Sequence, residues 1–177
     1  MAEQKTLLDD PNFREFCVIA KKSTYAAGGD SKAEKLCDGG KRYVFYDREL
    51  WPRWRYTDIY HGYNPFFGNK TIEETGNTPH AIWTPIARMS YGGYARGTDE
   101  EIKRMFAFLE KILQRVAPHS LFRGPTEHIR EDGLQYRCQW QRINPFCVNG
   151  KESIVDYTLH VGDTAHYQLS FEFHCLR

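Results

Sequence analysis

The stretch from Tyr56 to Ile72, YTDIYHGYNPFFGNKTI, decides the fold because its pattern returns eighty positions later as YRCQWQRINPFCVNGKESI. Both stretches place an aromatic-rich run before an Asn-Pro-Phe turn. The aligned residues are Tyr56 with Tyr136, Tyr60 with Trp140, Asn64 to Phe66 with Asn144 to Phe146, Gly68 with Gly150, and Ile72 with Ile154. This correspondence predicts one structural unit that is built twice.

Each copy follows a segment with helical periodicity and leads into a long alternating segment. Two copies with a period near eighty residues are too few and too long for a solenoid. We therefore expect a single domain over residues 1–177, with two α-β-β-β pseudo-repeats near 10–95 and 98–177. The alternative is chance, because Asn-Pro is an ordinary turn dipeptide and aromatic residues are abundant in this chain.

Two segments have the apolar periodicity of amphipathic helices. The first begins at Asp10-Pro11, since proline is tolerated in a first helical turn, and continues to about Lys22. The second begins at Thr98, whose spacing from Glu101 is that of a capping box. Its apolar residues are Ile102, Met105, Phe106, Leu109, Ile112, Leu113 and Val116.

The other periodic segments alternate with period two and predict strands. In the first copy they are RYVFYDREL, WRYTDIYHGY and HAIWTPIARMSYGGY, and in the second GLQYRCQWQR, ESIVDYTLHV and AHYQLSFEFHCL. Pro85 predicts a bend because proline cannot donate to a strand ladder, and Gly162-Asp163 predicts the turn of the last hairpin. We expect an α+β fold in which a curved antiparallel sheet carries two helices on one face.

The alternation in the second copy assigns one face of the sheet to the core. Its apolar set is Leu134, Tyr136, Cys138 and Trp140. By the repeat correspondence, Tyr56, Asp58 and Tyr60 also face inward. An aspartate then occupies an inner position, where a buried carboxylate has to be paired or have its pKa raised.

The composition is that of a globular protein whose charges nearly cancel. Hydrophobic residues make up 41% of the 177 positions and aromatic residues 15%, which suits one domain with a continuous core and an aromatic pocket. Lys and Arg number 24 against 23 Asp and Glu, which leaves a formal charge of +1. Nearly equal numbers of positive and negative residues argue against a surface that binds nucleic-acid phosphates.

The five cysteines are odd in number and have no CxxC spacing, so we expect free thiols. The first residues lack a basic segment followed by an apolar one, and no apolar run reaches the length of a membrane span. These features predict a cytoplasmic protein that does not bind membranes. A small-molecule ligand is the expected partner, and a homodimer is left open.

Four residues are candidates for catalysis. Asp58 would be the general acid or base, and Tyr60 a proton donor or oxyanion partner. Arg123, in the FRGP segment, would hold the acid or an anionic substrate group with its fork of donors. His61 lies on the other face of a regular strand and could join Asp58 only through a bulge. The simpler interpretations are a structural ion pair for Asp58 and a turn brace for Arg123.

Aromatic residues are the candidates for binding a substrate. The expected pocket walls are Tyr25, Tyr56, Trp83 and Tyr91. Each of these rings could instead belong to the packed core, which is the commoner place for aromatic side chains.

No cofactor and no metal are expected. The chain lacks HExxH, GxSxG and GxGxxG motifs. His166 and His174 are eight residues apart, or roughly 27 Å along a strand, so only Glu172 and His174 could share an ion. The simpler interpretation is that His166, Glu172 and His174 lie on a solvated outer face of the sheet.

Several short motifs together resemble a known family. They are TYA at Thr24–Ala26, YxDxYxG at Tyr56–Gly62, the Phe67-Gly68 turn, Trp83, YGG at Tyr91–Gly93, and FRGP at Phe122–Pro125. With them the chain resembles a domain-of-unknown-function family, found alone in bacteria and fungi and fused behind Xre-type helix-turn-helix domains. The resemblance covers nearly the whole chain and departs from the family at the final HCLR and at the loop around Gly28.

That family is uncharacterised, so the resemblance implies no reaction, although fusion to a DNA-binding domain implies ligand sensing. No helix-turn-helix segment remains in this chain, and we do not expect it to bind DNA itself. The residues favour a cofactor-independent enzyme of the isomerase, cyclase or lyase type, acting on a small, largely apolar molecule. A non-catalytic binding or sensor domain is the first alternative. An interaction scaffold, with an exposed aromatic patch in place of a pocket, is the second.

Overall fold

The computed structural model describes residues 6–27, 33–76, 82–120, 122–157 and 166–176. Over these ranges the chain forms two α-helices and nine β-strands. The helices are α1 (Pro11–Ser23) and α2 (Asp99–Leu113). The strands are β1 (Glu34–Lys35), β2 (Lys41–Phe45), β3 (Trp54–Gly62), β4 (Phe66–Glu74), β5 (Thr84–Ala95), β6 (Ile129–Glu131), β7 (Leu134–Asn144), β8 (Cys147–Asp156) and β9 (Tyr167–Cys175).

The described strands form one open antiparallel sheet in the order β1-β2-β3-β4-β5-β9-β8-β7-β6. The predicted α+β fold, an antiparallel sheet with two helices, is confirmed. The central pair β5–β9 has Tyr91 opposite Phe171, with Ala87 opposite Cys175 and Ala95 opposite Tyr167. This register suits two halves offset by eighty positions, but the duplication itself stays a prediction.

Both helices begin where their sequences predict. The Asp10 carboxylate accepts a hydrogen bond from the Asn12 amide at 2.9 Å, which caps α1 before its first-turn proline. Thr98 and Glu101 form the predicted capping box at α2, with the Thr98 amide 2.7 Å from the Glu101 carboxylate. Each cap supplies partners for backbone groups that the first helical turn cannot pair.

One face of the sheet is buried and the other is largely exposed. The buried residues of β9 are Tyr167, Leu169, Phe171, Phe173 and Cys175, and they alternate with exposed residues as predicted. Both helices pack on this inner face, since the Phe16 ring of α1 lies 5.5 Å from Trp54 and the Phe106 ring of α2 lies 5.9 Å from Tyr167. The space between the two helices and the sheet contains the core.

The turn between β3 and β4 is held from a neighbouring strand. Asn64-Pro65 is a cis peptide bond, and it separates the two strands where the sequence predicts a break. The Asn64 side chain donates to the Ala95 carbonyl at 2.7 Å and accepts from the Ala95 amide at 2.8 Å. This side chain therefore joins the β3–β4 turn to the end of β5.

Three local predictions have different outcomes in the structure. The Phe67-Gly68 pair lies inside β4 rather than in a turn. The bend predicted at Pro85 coincides with a register shift opposite Ile72 and Glu73. The hairpin turn predicted at Gly162-Asp163 lies outside the described residues.

The five cysteines are free, as predicted. Cys37 is exposed and the other four are buried. No helix within the described residues is long and apolar enough to cross a membrane.

Truncation of Ile112 tests the packing of α2. This side chain is fully buried, so Ile112→Ala should lower the free energy of unfolding by about 2–5 kcal/mol. Ile82→Ala is the matched control, because Ile82 is 83% exposed and its truncation should change stability by less than about 0.5 kcal/mol. Urea denaturation of both variants measures the difference, and equal losses would contradict the described position of α2.

Candidate functional site

A cavity of about 210 Å³ lies between the two helices and the inner face of the sheet. An engineered apolar cavity of about 150 Å³ holds benzene, so this volume suits a molecule somewhat larger than one ring. Its walls are mostly apolar or aromatic and carry several charged groups. The main lining residues are Lys21, Tyr25, Lys41, Tyr56, Asp58, Tyr60, Phe66, Lys70, Tyr91, Phe106, Leu109, Glu110, Leu113, Arg123 and Tyr167.

Asp58 lies in the middle of β3 with its carboxylate on the inner face, and only 4% of the residue is exposed. The Tyr91 hydroxyl donates to Oδ1 at 2.8 Å, and the Tyr56 hydroxyl donates to Oδ2 at 3.3 Å. Lys70 places Nζ 3.6 Å from Oδ2. The carboxylate therefore has two hydroxyl donors and one cation around it, as a buried acid requires.

Strand register explains how these residues meet. Asp58 and Lys70 are direct partners in the β3–β4 ladder, so their side chains lie side by side on one face. Tyr91 comes from the next strand, β5, and has to cross β4 to reach Asp58. It crosses at Gly68, its ladder partner, where an added Cβ would lie 2.5 Å from the Tyr91 hydroxyl. The missing side chain at Gly68 thus brings a β5 tyrosine to a β3 carboxylate.

A second buried carboxylate lies on the other half of the sheet. Glu152, on β8, is 1% exposed. It accepts hydrogen bonds from the Tyr136 hydroxyl at 2.7 Å and the Tyr167 hydroxyl at 2.8 Å. Arg123 Nε donates to the same group at 3.1 Å. Burial opposes the charge of Arg123, but the Glu152 carboxylate together with Tyr167 and Tyr91 outweighs it and holds the pKa of the guanidinium above its usual range.

The two carboxylates belong to one connected network. The Arg123 guanidinium carbon lies 5.5 Å from the centre of the Tyr91 ring, and Lys70 Nζ lies 5.2 Å from that centre. Both cations therefore contact the ring whose hydroxyl binds Asp58. Arg123 is bound to Glu152, so the Tyr91 ring connects the Asp58 cluster with the Glu152 cluster.

The amines of Lys21 and Lys70 are buried, and the pKa of each is lowered. Burial, with a smaller contribution from the nearby charges of Lys70 and Arg123, lowers the pKa of Lys21 to about 7. Burial also lowers the pKa of Lys70 to about 8, although the Asp58 carboxylate opposes this shift. The Lys21 amine donates to the Arg123 carbonyl at 3.3 Å.

The tyrosines of the network keep their protons. Burial, and next the Asp58 carboxylate, raise the pKa values of Tyr56 and Tyr91 well above their usual range. Burial and the Glu152 carboxylate do the same to Tyr136 and Tyr167. All four hydroxyls are therefore hydrogen-bond donors at neutral pH.

Most of the site lies in a segment that matches a known protein family. A family profile described as "Domain of unknown function (DUF5680)" matches residues 58–172, which is more than half of the chain. The chain belongs to the DUF5680 family. Comparison with curated proteins and with solved structures gave no match. The resemblance to a family of unknown function is thus confirmed, while its distribution and its fusion to helix-turn-helix domains stay predictions.

The matched DUF5680 segment includes both carboxylates of the network. It begins at Asp58 and ends beyond Glu152, and it contains Lys70, Tyr91 and Arg123. Lys21 lies outside it, because α1 precedes the matched residues.

Six of the eight site residues predicted from the sequence line the cavity. They are Tyr25, Tyr56, Asp58, Tyr60, Tyr91 and Arg123. Tyr60 stacks on Tyr43, with ring centres 6.1 Å apart, and Lys41 Nζ lies 5.6 Å from its ring. Their roles in binding or chemistry stay predictions. The pairing expected between Asp58 and Arg123 is wrong, because Arg123 binds Glu152 and Lys70 is the cation beside Asp58.

His61 and Trp83 lie away from the cavity. His61 is on the outer face of β3, where its Nε2 lies 3.1 Å from Asp38 and its ring stacks on Phe67 at 5.4 Å. No bulge interrupts the described β3–β4 ladder near His61, so the histidine cannot reach Asp58. Trp83 packs against Tyr46 at 5.1 Å and under the Arg55 guanidinium at 4.6 Å.

Three charged residues of the site were missed in the sequence. Lys70 and Glu152 occupy aligned positions, each two residues before the isoleucine that ends its copy, and both fall in the inner-face register. Lys21 follows Cys17 by four residues and therefore lies on the apolar face of α1. In each case the signal was a charged residue at a position whose periodicity assigns it to the core.

Within the described residues, one group of side chains could hold a metal ion. Cys147, Glu172 and His174 place one potential ligand atom each within 4.8 Å of one another. The Cys147 sulfur lies 3.7 Å, and His174 Nε2 3.1 Å, from the Glu172 carboxylate. This group is on the outer face of β8 and β9, across the sheet from the cavity, and Arg88 is the ladder partner of His174.

Replacement of Arg123 tests the buried ion pair. Arg123→Met should lower the free energy of unfolding by about 3–5 kcal/mol, because it leaves Glu152 buried without its cation. Arg115→Met is the control: Arg115 pairs with Glu131 at the surface, where screening by water makes the pair far weaker. Chemical denaturation checks both variants, and a small loss for Arg123→Met would show that Glu152 is satisfied by its tyrosines alone.

Replacement of Lys21 should change stability in a pH-dependent way. The pKa of Lys21 is about 7 in the folded protein against a usual 10.5, so the unfolded chain binds more protons between these values. The unfavourable contribution of Lys21 is therefore full near pH 7 and declines as the pH rises toward 10.5. Lys21→Met should stabilise the protein more at pH 7 than at pH 10, by more than about 1 kcal/mol, since one pKa unit is worth about 1.4 kcal/mol.

Denaturation midpoints at the two pH values measure that difference. Lys22→Met is the matched control, because it changes a partly exposed lysine of the same helical turn. If the stability change on mutation differs between pH 7 and pH 10 by the same amount for both variants, the described surroundings of Lys21 are contradicted. The same holds if the stabilisation by Lys21→Met grows with pH.

Proposed function

We propose that this protein is an enzyme that carries out acid–base chemistry on a small molecule in the cavity, of the isomerase, cyclase or lyase type. The observation that carries the proposal is the Tyr91–Asp58 hydrogen bond of 2.8 Å at the cavity wall. A carboxylate bonded to a protonated hydroxyl, both beside the ligand space, is a pair that can take and return a proton. Titratable groups in a cleft that are shifted by burial and by a specific charge are typical of functional sites.

The surrounding residues suit defined roles in this proposal. Asp58 is the general base or acid, and Tyr91 takes the place that the sequence suggested for Tyr60, because its hydroxyl binds the carboxylate. Lys70, 3.6 Å from Asp58, supplies positive charge beside the pair. The rings of Tyr25 and Tyr60 give the ligand apolar contact area.

A non-catalytic small-molecule sensor is the second candidate. It is favoured by the completeness of the network, because both oxygens of Asp58 and both oxygens of Glu152 already accept hydrogen bonds from protein groups. A preformed polar scaffold under an aromatic cavity can bind without reacting. Fusion to a DNA-binding domain in relatives, as the family resemblance implies, suits the same role.

Proton transfer to and from carbon gives a test that works for a substrate of any identity. Compounds that raise the melting temperature in a small-molecule screen are incubated with the protein in deuterated water and recovered by mass spectrometry. The proposal expects at least one of them to return converted or deuterated. Asp58→Asn keeps the shape of the side chain and removes its basic group, so it should slow that conversion by ~10²- to 10⁴-fold.

The comparison depends on folded variants. Asp99→Asn, at an exposed position in the first turn of α2, is the matched control and should keep the wild-type rate. If Asp58→Asn is folded, binds the compound and exchanges it at the wild-type rate, the acid–base proposal is wrong. If wild-type protein binds compounds and returns all of them unchanged, the sensor is the better description.

A further inference from the structure

Lys21 is a buried nucleophile at the cavity that the proposed acid–base chemistry does not use. It lies in the last part of α1, is 9% exposed, and lines the cavity together with Asp58 and Tyr91. Its amine donates to the backbone carbonyl of Arg123 at 3.3 Å. The helix thus brings an amine to the same partly open cavity as the acid–base pair.

The surroundings of this amine disfavour its charged form. Burial is the largest cause, and the cations Lys70 and Arg123 add to it, so that the pKa of Lys21 falls to about 7. At neutral pH a substantial fraction of Lys21 is then the uncharged amine. Lysines are activated as nucleophiles in this way, by an apolar pocket or by a neighbouring cation. The amine of Lys70 lies 3.6 Å from the Asp58 carboxylate, which opposes the effect of burial, and the pKa of Lys70 is about 8.

We propose that Lys21 forms a Schiff base with the carbonyl group of an aldehyde or ketone bound in the cavity. This inference rests on the proposed function, because it uses the same cavity and names the class of substrate. The amine nitrogen attacks the carbonyl carbon and forms the C–N bond. The carbonyl oxygen leaves as water with the two protons of the amine, and a C=N bond replaces C=O with no change in oxidation state.

The Schiff base gives the acid–base pair a reaction to carry out. A protonated imine draws electrons from the adjacent carbon, so a proton or a carboxylate on that carbon is more easily removed. Asp58, with Tyr91 bonded to it, lines the same cavity and is the group that can take or return such a proton. Because Lys70 is paired with Asp58 and Arg123 with Glu152, a protonated imine at Lys21 leaves one positive charge in excess, which favours carbonyl compounds that carry a carboxylate, such as 2-oxo acids.

Reductive trapping tests the inference on the wild-type protein. The protein is incubated with pyruvate and sodium cyanoborohydride, which reduces imines to stable amines, and the modified lysines are mapped by peptide mass spectrometry. Lys21 should be modified at least about tenfold faster than Lys22 at pH 7, because the uncharged fraction of an amine rises tenfold for each unit that its pKa falls. Lactate, which has a hydroxyl in place of the carbonyl, should give no adduct.

The pH profile and the variants sharpen this test. The rate of Lys21 modification should rise with pH through about 7 and then level off, whereas exposed lysines continue to gain reactivity toward pH 10. Lys21→Met should lose the selective adduct, and Lys22→Met should keep it. The wild-type map decides the question even if Lys21→Met does not fold.

The results separate this inference from the proposed function. Modification that follows the exposure of the lysines, or that falls mainly on Lys70, overturns the Schiff base at Lys21. If Asp58-dependent exchange is found for a compound without a carbonyl group, the acid–base enzyme stands and the Schiff base does not. If Lys21 is trapped selectively but no compound is exchanged through Asp58, the Schiff base stands and the acid–base proposal fails.

Discussion

Two carboxylates, Asp58 and Glu152, are buried on the same face of one sheet, and their need for partners organises the interior of this protein. A buried charge is tolerated only when donors and opposite charges surround it. Each carboxylate has two tyrosine hydroxyls and one cation within reach. Tyr56 shares β3 with Asp58, and the other groups come from four further strands and from the FRGP segment. The constraint therefore brings together parts of the chain that are far apart in sequence. Apolar packing alone would define less specifically which segments meet.

The same constraint accounts for the cavity. Phenol rings that must direct their hydroxyls to a carboxylate cannot also fill the space above it, and the ring of Tyr91 lies across β4 at Gly68. The two helices cover the sheet with apolar side chains, but the charged groups below them stay beside a partly open cavity of about 210 Å³. Electrostatic interactions are stronger in such a place than in water, so the arrangement that stabilises the fold also strengthens the chemistry available to a bound ligand.

The sequence predicted the architecture better than the site. Periodicity located both helices and the inner face, because the spacing of apolar residues is set locally by helix and strand geometry. Asp58 and its neighbouring tyrosines were found in the same way. The partner of Asp58 was not: Arg123 was expected there, whereas ladder register places Lys70 beside the acid. His61 and Trp83 were proposed for their side-chain chemistry, but the first is on the outer face and the second packs on Tyr46. Which side chains meet across two strands depends on the strand register, and the identities of the candidate residues alone do not give that register.

The charge balance of the network bears on what the cavity binds. Among the described residues, Lys70 faces Asp58 and Arg123 faces Glu152, and Lys41 and Glu110 add one charge of each sign to the lining. A protonated Lys21 therefore leaves the site with one positive charge in excess. An anionic ligand restores the balance and favours proton uptake by Lys21, so its affinity would fall as the pH rises through about 7. A carbonyl ligand that reacts with the amine needs the uncharged form of Lys21. Its initial reaction with Lys21 would therefore become faster as the pH rises through about 7. The sign of the pH dependence therefore distinguishes a site that only holds an anion from one that uses Lys21 as a nucleophile.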